Sequence, residues 1–250
     1  MSSFNILGIS GKKCNGKTYI ANTIMATRSD VIQCNFADGL KEEVSEFLVN
    51  TPSYTALEKL IDMFGEQEGN AIWNMVYSWP HVDPQGRSKL GVRHFYHIGY
   101  GREDAKQKIK DILNTDNPEK ENYRMLMQYW GTEYRRKSDD NYWINKFIKK
   151  MNELKESGKY KYAICCDMRF PNEYDTIKSL DGKTIRVIRP SIGWTGDHPS
   201  ETSLDLKSVD DWDCILVNDD TTEFKENILL MFQNFDTEGI INGRDLGDEN

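Results

Sequence analysis

The sequence predicts an α/β protein: an open parallel sheet of about five strands with helices on both faces. Three observations predict it. Short β-rich apolar runs alternate with amphipathic stretches along most of the chain, the pattern of successive strand–helix units. The first apolar run, residues 4–9, feeds directly into a glycine-bearing turn and then a helical pattern. A length of 250 residues is enough for one such core carrying an insertion.

The elements follow in order. Residues 4–9 read as a buried strand ending at Ser10-Gly11, residues 17–28 as a helix, and 31–36 as a second short strand. Residues 39–49 are amphipathic, with Leu40, Val44, Phe47 and Leu48 recurring at helical spacing. Between 51 and 117 helical pieces fit at 54–64, 69–78 and 103–113, separated by a stretch from Trp79 to Arg87 that holds two prolines and a glycine. This segment reads as a mostly helical insertion forming a lid region on the core. Asn117-Pro118 then signals a helix start with proline at the first position, running to about Lys137. A further helix opens at Asp139-Asp140 and extends to Glu156. Residues 159–166 give the third strand, 171–180 a helix closed by Asp181-Gly182, and 184–188 the fourth strand. After a loop from Arg189 to about Asp210 come strand 214–217 and helix 221–235. The expected division is a core of residues 1–50 and 118–236, the inserted region 51–117, and a flexible acidic tail 237–250.

Composition narrows the function classes. The net charge is −8, and the small basic clusters Arg135-Arg136-Lys137 and Lys149-Lys150 sit among acids. A grip on duplex nucleic acid through its phosphates calls for a basic balance or stripe, so the expected partners are small molecules. No run approaches the ~20 apolar residues that cross a bilayer, and the N-terminus lacks a signal-peptide pattern. Cys14, Cys34, Cys165, Cys166 and Cys214 are odd in number, with no metal-binding or redox spacing. A reduced, cytoplasmic protein is expected.

One motif carries chemistry. Gly11-Lys12-Lys13-Cys14-Asn15-Gly16-Lys17-Thr18 matches G-x-x-x-x-G-K-[ST], a P-loop, between the strand and the helix that this motif requires. Gly11 and Gly16 allow backbone angles that turn N–H groups of the loop, from Lys13 and Asn15 among others, toward phosphate oxygens. The following helix offers its N-terminus to the same anion. Lys17 is the expected ligand of the β- and γ-phosphates of ATP, and the Thr18 hydroxyl of one Mg²⁺ position.

Further segments, in order, resemble the deoxynucleoside monophosphate kinases of tailed bacteriophages. They are Phe36-Ala37-Asp38-Gly39-Leu40-Lys41, Leu126-Met127-Gln128-Tyr129-Trp130-Gly131-Thr132-Glu133 and Tyr142-Trp143, followed by Asp167-Met168-Arg169-Phe170-Pro171-Asn172-Glu173, His198-Pro199-Ser200-Glu201 and Val217-Asn218-Asp219. With the P-loop they span residues 4 to about 230. Residues 51–117 match poorly. Position 18 is Thr, where some relatives carry an acid, and Gly39 stands where a proline is common in the family.

The resemblance implies a P-loop kinase fold that moves the γ-phosphoryl of ATP to a deoxynucleoside 5′-monophosphate. It implies acceptor-phosphate binding by Lys41, whose own sequence context suits an exposed helix lysine equally well. Arg124, Gln128 and Thr132 share one helical face at i, i+4, i+8, an arginine for a phosphate and an amide for a base edge, or else a solvated polar stripe. Trp143 is suited to stacking on the base, or to core packing with Tyr142 and Phe147. Asp167 and Arg169 follow the third strand, where ligands gather in open α/β sheets. There Asp167 would hold Mg²⁺ through water or receive a substrate hydrogen bond. Arg169 would clamp the acceptor phosphate or neutralise transition-state charge, and Glu173 lies one turn further on. An ion pair of Arg169 with Asp167 or Glu173 is the alternative. Arg189 opens a loop containing Gly193, Gly196 and Pro199, suited to closing over ATP, with Asn218 near the adenine. Arg87 is a further phosphate contact to test, and the resemblance allows a homodimer. The rival readings are another small-molecule P-loop kinase, acting on dephospho-coenzyme A or a nucleoside, and a nucleotide-dependent ATPase or binding subunit.

Overall fold

The computed structural model describes residues 4–77, 101–114, 118–192 and 202–244. Its contacts divide the chain into two compact units, residues 1–36 with 144–250, and residues 37–143.

The first unit holds a five-stranded sheet in which every pairing is parallel. The strands are β1 (Asn5–Ser10), β2 (Val31–Gln33), β3 (Tyr162–Cys165), β4 (Lys183–Ile188) and β5 (Cys214–Val217), in the order β2-β3-β1-β4-β5. Alternation along each strand explains why helices cover both faces. Leu7, Ile9 and Ile164 pack with Ile20 and Ile24 of α1 (Lys17–Met25) and with Phe224 and Ile228 of α9 (Glu223–Arg244). The intervening residues Ile6, Ala163 and Cys165 face the other way. They meet Phe147 and Met151 of α7 (Tyr142–Ser157) and Ile177 of α8 (Pro171–Ser179). Parallel strands buried on both faces read as continuous apolar runs, and YAIC of β3 is buried throughout. Each fully buried Ile or Leu here contributes on the order of 1.5–3 kcal/mol.

The order 2-3-1-4-5 sets β1 in the centre, between β3 and β4. The chain therefore leaves β1 beside the carboxyl ends of two neighbouring strands, the place where open α/β sheets bind ligands. Two contacts tie the β2 and β3 ends together: the Phe36 N–H donates to Asp167 Oδ1 (2.9 Å) and the Cys166 N–H to Asn35 Oδ1 (2.8 Å).

The second unit is helical, with α2 (Asp38–Asn50), α3 (Ser53–Phe64), α4 (Glu66–Tyr77), α5 (Arg102–Asn114), α6 (Glu121–Gln128) and a π-helical segment, Tyr129–Arg136. Val44, Leu48, Leu60, Ile72, Ile109 and Leu126 form its core. It is wider than the 51–117 segment read as an insertion, because α2 and the 118–143 stretch bury their apolar faces in the same cluster as α3–α5.

Two further differences from the sequence reading concern helices. The helix expected over 118–137 begins as a 3-10 turn (Pro118–Lys120), is α-helical to Gln128, and then widens. The Lys137 N–H reaches back to the Thr132 carbonyl, five residues away, the π-helical spacing. The last helix continues past Phe235 to Arg244, so part of the expected flexible tail is helical. Residues 245–250 lie outside the described residues, as do Arg87, the 193–201 loop with Gly193, Gly196, His198 and Pro199, and Asn117.

Candidate functional site

In the first unit the P-loop runs from the end of β1 into α1. Its shape depends on left-handed backbone at Cys14 (φ 66) and Gly16 (φ 103). Gly16 is the N-cap of α1, with no side-chain cap and no acidic residue in the first turn. The helix dipole and the first-turn N–H groups thus meet no opposing carboxylate on that turn, which suits an incoming anion. The Lys17 ammonium folds over the loop, donating to the carbonyls of Gly11 (2.5 Å) and Lys12 (2.7 Å). Thr18 is exposed on the first turn, a hydroxyl suited to one position of an octahedral Mg²⁺. Lys13 is exposed.

The loop is pinned from its far side by the ends of β4 and β5. Asn15, buried, donates from Nδ2 to the Val187 carbonyl (2.9 Å), and Asn218 Nδ2 donates to the Asn15 carbonyl (3.0 Å). Arg189 Nη1 donates to the Cys14 carbonyl (2.9 Å) and pairs with Asp220, which Ser191 Oγ also contacts (2.5 Å). The Ser191 hydrogen bond, and then Arg189, hold the Asp220 carboxyl below its usual range, so the carboxylate that orients Arg189 stays ionised. A Cβ at Gly11 would stand 2.7 Å from the Val187 carbonyl, and one at Gly16 would stand 2.8 Å from Asn218 Nδ2. The glycines are thus required as much by these braces as by the loop's own turn. Of the residues expected to touch ATP, Arg189 and Asn218 hold the loop's backbone carbonyls and Asn15 holds the backbone of β4.

At the β3 end Asp167 and Arg169 are half-buried. Asp167 Oδ1 accepts from the Phe36 N–H and from the Cys165 thiol (3.2 Å). Burial, then Asp167, push the Cys165 thiol well up, which leaves it a poor nucleophile. Glu173, expected as a substrate ligand, is 2% exposed. Its Oε2 accepts from the Arg169 N–H (2.7 Å) and the Phe170 N–H (3.1 Å). It caps α8, because four N–H groups at a helix start lack partners within the helix.

Beside the P-loop an open cleft of about 610 Å³ is lined by Lys12, Arg186, Arg189 and Lys207, with Trp212 on its wall. That volume suits a small-molecule ligand. Asp205 spans Lys12 (3.2 Å) and Arg186, and Arg186 also donates to Ser10 Oγ (3.1 Å). Sequence reasoning missed Arg186 and Asp205, since neither belongs to a motif.

In the second unit the expected acceptor residues are placed as follows. Lys41 Nζ contacts Asp38 Oδ1 (3.3 Å) and Asn114 Oδ1 (2.8 Å). Arg124, exposed, pairs with Glu121 (3.0 Å). Gln128 is exposed, and the Thr132 hydroxyl donates to its carbonyl (2.6 Å). The shared face of these three is interrupted, since Thr132 lies in the π segment, where the turn is wider. Trp143 is 3% exposed, and its Nε1 donates to the Gly131 carbonyl (3.0 Å). It packs in the core of this unit, with the Tyr142 ring edge-on to it.

The comparisons decide the family. The model of the deoxynucleotide monophosphate kinase family matches residues 84–228. The chain belongs to this family. A protein of Acanthamoeba polyphaga mimivirus, described as "Putative deoxynucleotide monophosphate kinase", is 31% identical over 132 residues. That similarity covers 50% of this chain and 65% of the viral relative. The family match includes Asp167, Arg169, Arg189 and Asn218, and begins well after the P-loop. The geometry of the loop at Gly11–Thr18 is therefore an observation independent of the family match. Among the described residues no helix is long and apolar enough to cross a membrane, and no three His, Cys, Asp or Glu side chains group as a metal site.

Proposed function

We propose that the protein transfers the γ-phosphoryl group of ATP to the 5′-phosphate of a deoxynucleoside monophosphate, giving the diphosphate and ADP. The observation that carries this reading is the Lys17 ammonium, held over a P-loop whose backbone is braced at Cys14 and Asn15, in a chain of this family.

Phosphoryl transfer asks for positioning and charge neutralisation more than for covalent participation by the protein. Lys17 would exchange its two loop carbonyls for β- and γ-phosphate oxygens. Backbone N–H groups of the loop and the first turn of α1 would hold the same phosphates. Mg²⁺, held by the Thr18 hydroxyl and phosphate oxygens with Asp167 as an outer partner, would supply further neutralisation. Arg169, on the strap fixed by Glu173, would carry positive charge to the transferring group. The acceptor oxygen is already anionic, so no general base is needed. The cations of the cleft beside the loop suit the rest of an anionic nucleotide. We place the reaction in the cytoplasm, with free nucleotides as partners.

The test is product identification. ATP labelled at the γ-phosphate, incubated with Mg²⁺ and each deoxynucleoside monophosphate, should give a labelled deoxynucleoside diphosphate. Label recovered only as inorganic phosphate, whatever the acceptor, would refute the proposal.

A further inference from the structure

Arg135 carries a feature that the motifs did not mark. It lies in the last turn of the π segment, where a cation near a helix C-terminus ordinarily complements the dipole and points to water. Here it is held instead. Its Nε donates to Glu43 Oε2 (2.9 Å), and the rings of Tyr134 and Tyr142 lie against its guanidinium carbon, 4.8 and 4.7 Å to their centroids. Glu43 is itself fixed. The same Oε2 accepts from Trp130 Nε1 (2.9 Å), and Oε1 accepts from the Tyr142 hydroxyl (2.5 Å).

The consequence lies in what remains. The Glu43 side chain is 12% exposed and that of Arg135 is 30%. Among the described residues, Nη1 and Nη2 of Arg135 have no hydrogen-bond partner, while its Nε and its ring faces are engaged. A guanidinium in that state presents its outer fork, four N–H donors in a plane. The fork matches two oxygens of one phosphate or carboxylate. Glu43 offsets part of the charge but fixes its direction, and fixing removes rotamer entropy that a free arginine would lose on binding. A π segment is an uncommon choice of backbone, and such segments occur frequently at functional sites.

We infer that Arg135, oriented by Glu43, Tyr134 and Tyr142, is an oxyanion clamp of the second unit that takes the 5′-phosphate of the acceptor deoxynucleotide. Arg124, by contrast, is an exposed arginine paired one turn back to Glu121. The identity of the ligand rests on the kinase reading above; the clamp itself rests on the geometry. Glu43 and Tyr142 are positioning residues, acting through Arg135.

The experiment separates binding from turnover. Dissociation constants for deoxynucleoside monophosphates and for ATP are measured by titration on the wild type, Arg135→Gln, Arg135→Lys and Tyr142→Phe, alongside thermal midpoints and turnover. Arg135→Gln should weaken monophosphate binding at least tenfold and change the ATP constant less than twofold. Arg135→Lys should recover less than half of the loss, because it restores the charge without the fork. Tyr142→Phe, which keeps the ring and loses the bond to Glu43, should weaken monophosphate binding a few-fold. A purely structural ion pair predicts a lower thermal midpoint with unchanged monophosphate binding, and that result overturns the clamp. So does a wild type that binds no deoxynucleoside monophosphate. A wild type that binds the monophosphate without phosphorylating it, with binding lost in Arg135→Gln, defeats the kinase reading and supports the clamp.

Discussion

Asn218 Nδ2 lies 3.0 Å from the carbonyl oxygen of Asn15, a hydrogen bond across 203 residues that joins the end of the last strand to the middle of the P-loop. Asn15 in turn holds β4 through the Val187 carbonyl. The loop is therefore braced by β4 and by the end of β5, and residues that need not touch ATP should control its affinity.

Removing the clasp tests this directly. Asn218→Ala leaves a buried carbonyl without its donor, a cost of about 1–3 kcal/mol. Where that cost falls on the loop, ATP binding should weaken about tenfold for each 1.4 kcal/mol. Titration of ATP against the variant should show this, with a modest fall in thermal midpoint. Unchanged ATP affinity would mean the loop holds its shape unaided.

Gly16→Ala should act more strongly. At φ 103 a side chain is strained, on the order of 1–2 kcal/mol, and its Cβ would meet Asn218 Nδ2 at 2.8 Å. Loss of ATP binding in a protein that still folds, judged by circular dichroism, is the expected outcome. Normal ATP affinity would contradict the geometry of the cap.

Glu173→Ala should uncover the N–H groups of Arg169 and Phe170 at the start of α8. Loss of a cap costs about 0.5–2 kcal/mol. Denaturant midpoints should fall accordingly, and turnover should fall further than stability explains because Arg169 loses its fixed backbone. If stability falls and turnover per folded molecule does not, Glu173 is a cap alone.

Much of this was legible in the sequence, and the parts that were not share a cause. The strands and the P-loop could be read because each is written in consecutive residues: a buried parallel strand is an apolar run, and the loop is a motif between a strand and a helix. The clasp of Asn218 on Asn15, and Glu43 with its partners Arg135 and Tyr142, 92 and 99 residues away, have no local pattern. Only the fold brings them together. Trp143 and Glu173 read from sequence as ligand candidates, and no local pattern shows that Trp143 also bonds the Gly131 carbonyl or that Glu173 also caps α8. The π segment over Tyr129–Arg136 escaped because its residues are also acceptable in an α-helix. The bond from Trp143 to the Gly131 carbonyl is a long-range contact that helical propensity does not encode.

Acid stability should reveal a cluster away from the loop. Arg28 pairs with Asp30 (2.6 Å) and Asp236 (2.7 Å) and lies against the Tyr162 ring, while the Tyr162 hydroxyl bonds Asp236. Arg28 lowers the Asp30 carboxyl below its ordinary 3.8, and Tyr162, after it Arg28, lowers that of Asp236. Folded values below unfolded ones give stability that is present above the ordinary value and lost as pH falls through the folded one. Burial, then Asp236, raise the Tyr162 hydroxyl, so its contribution is present below the ordinary value of 10 and fades as pH rises beyond it. Thermal midpoints of Asp236→Asn should therefore fall less steeply below pH 4 than those of the wild type. Parallel acid limbs would contradict the assignment.

The most direct test of the central claim is ADP release with Mg-ATP and each deoxynucleoside monophosphate, in the wild type and in Lys17→Ala. Release should be strongly stimulated by at least one monophosphate and reduced by about two orders of magnitude or more in the variant, the scale on which single charge-stabilising groups act. Release that is slow, indifferent to every monophosphate, or unchanged in Lys17→Ala would contradict it.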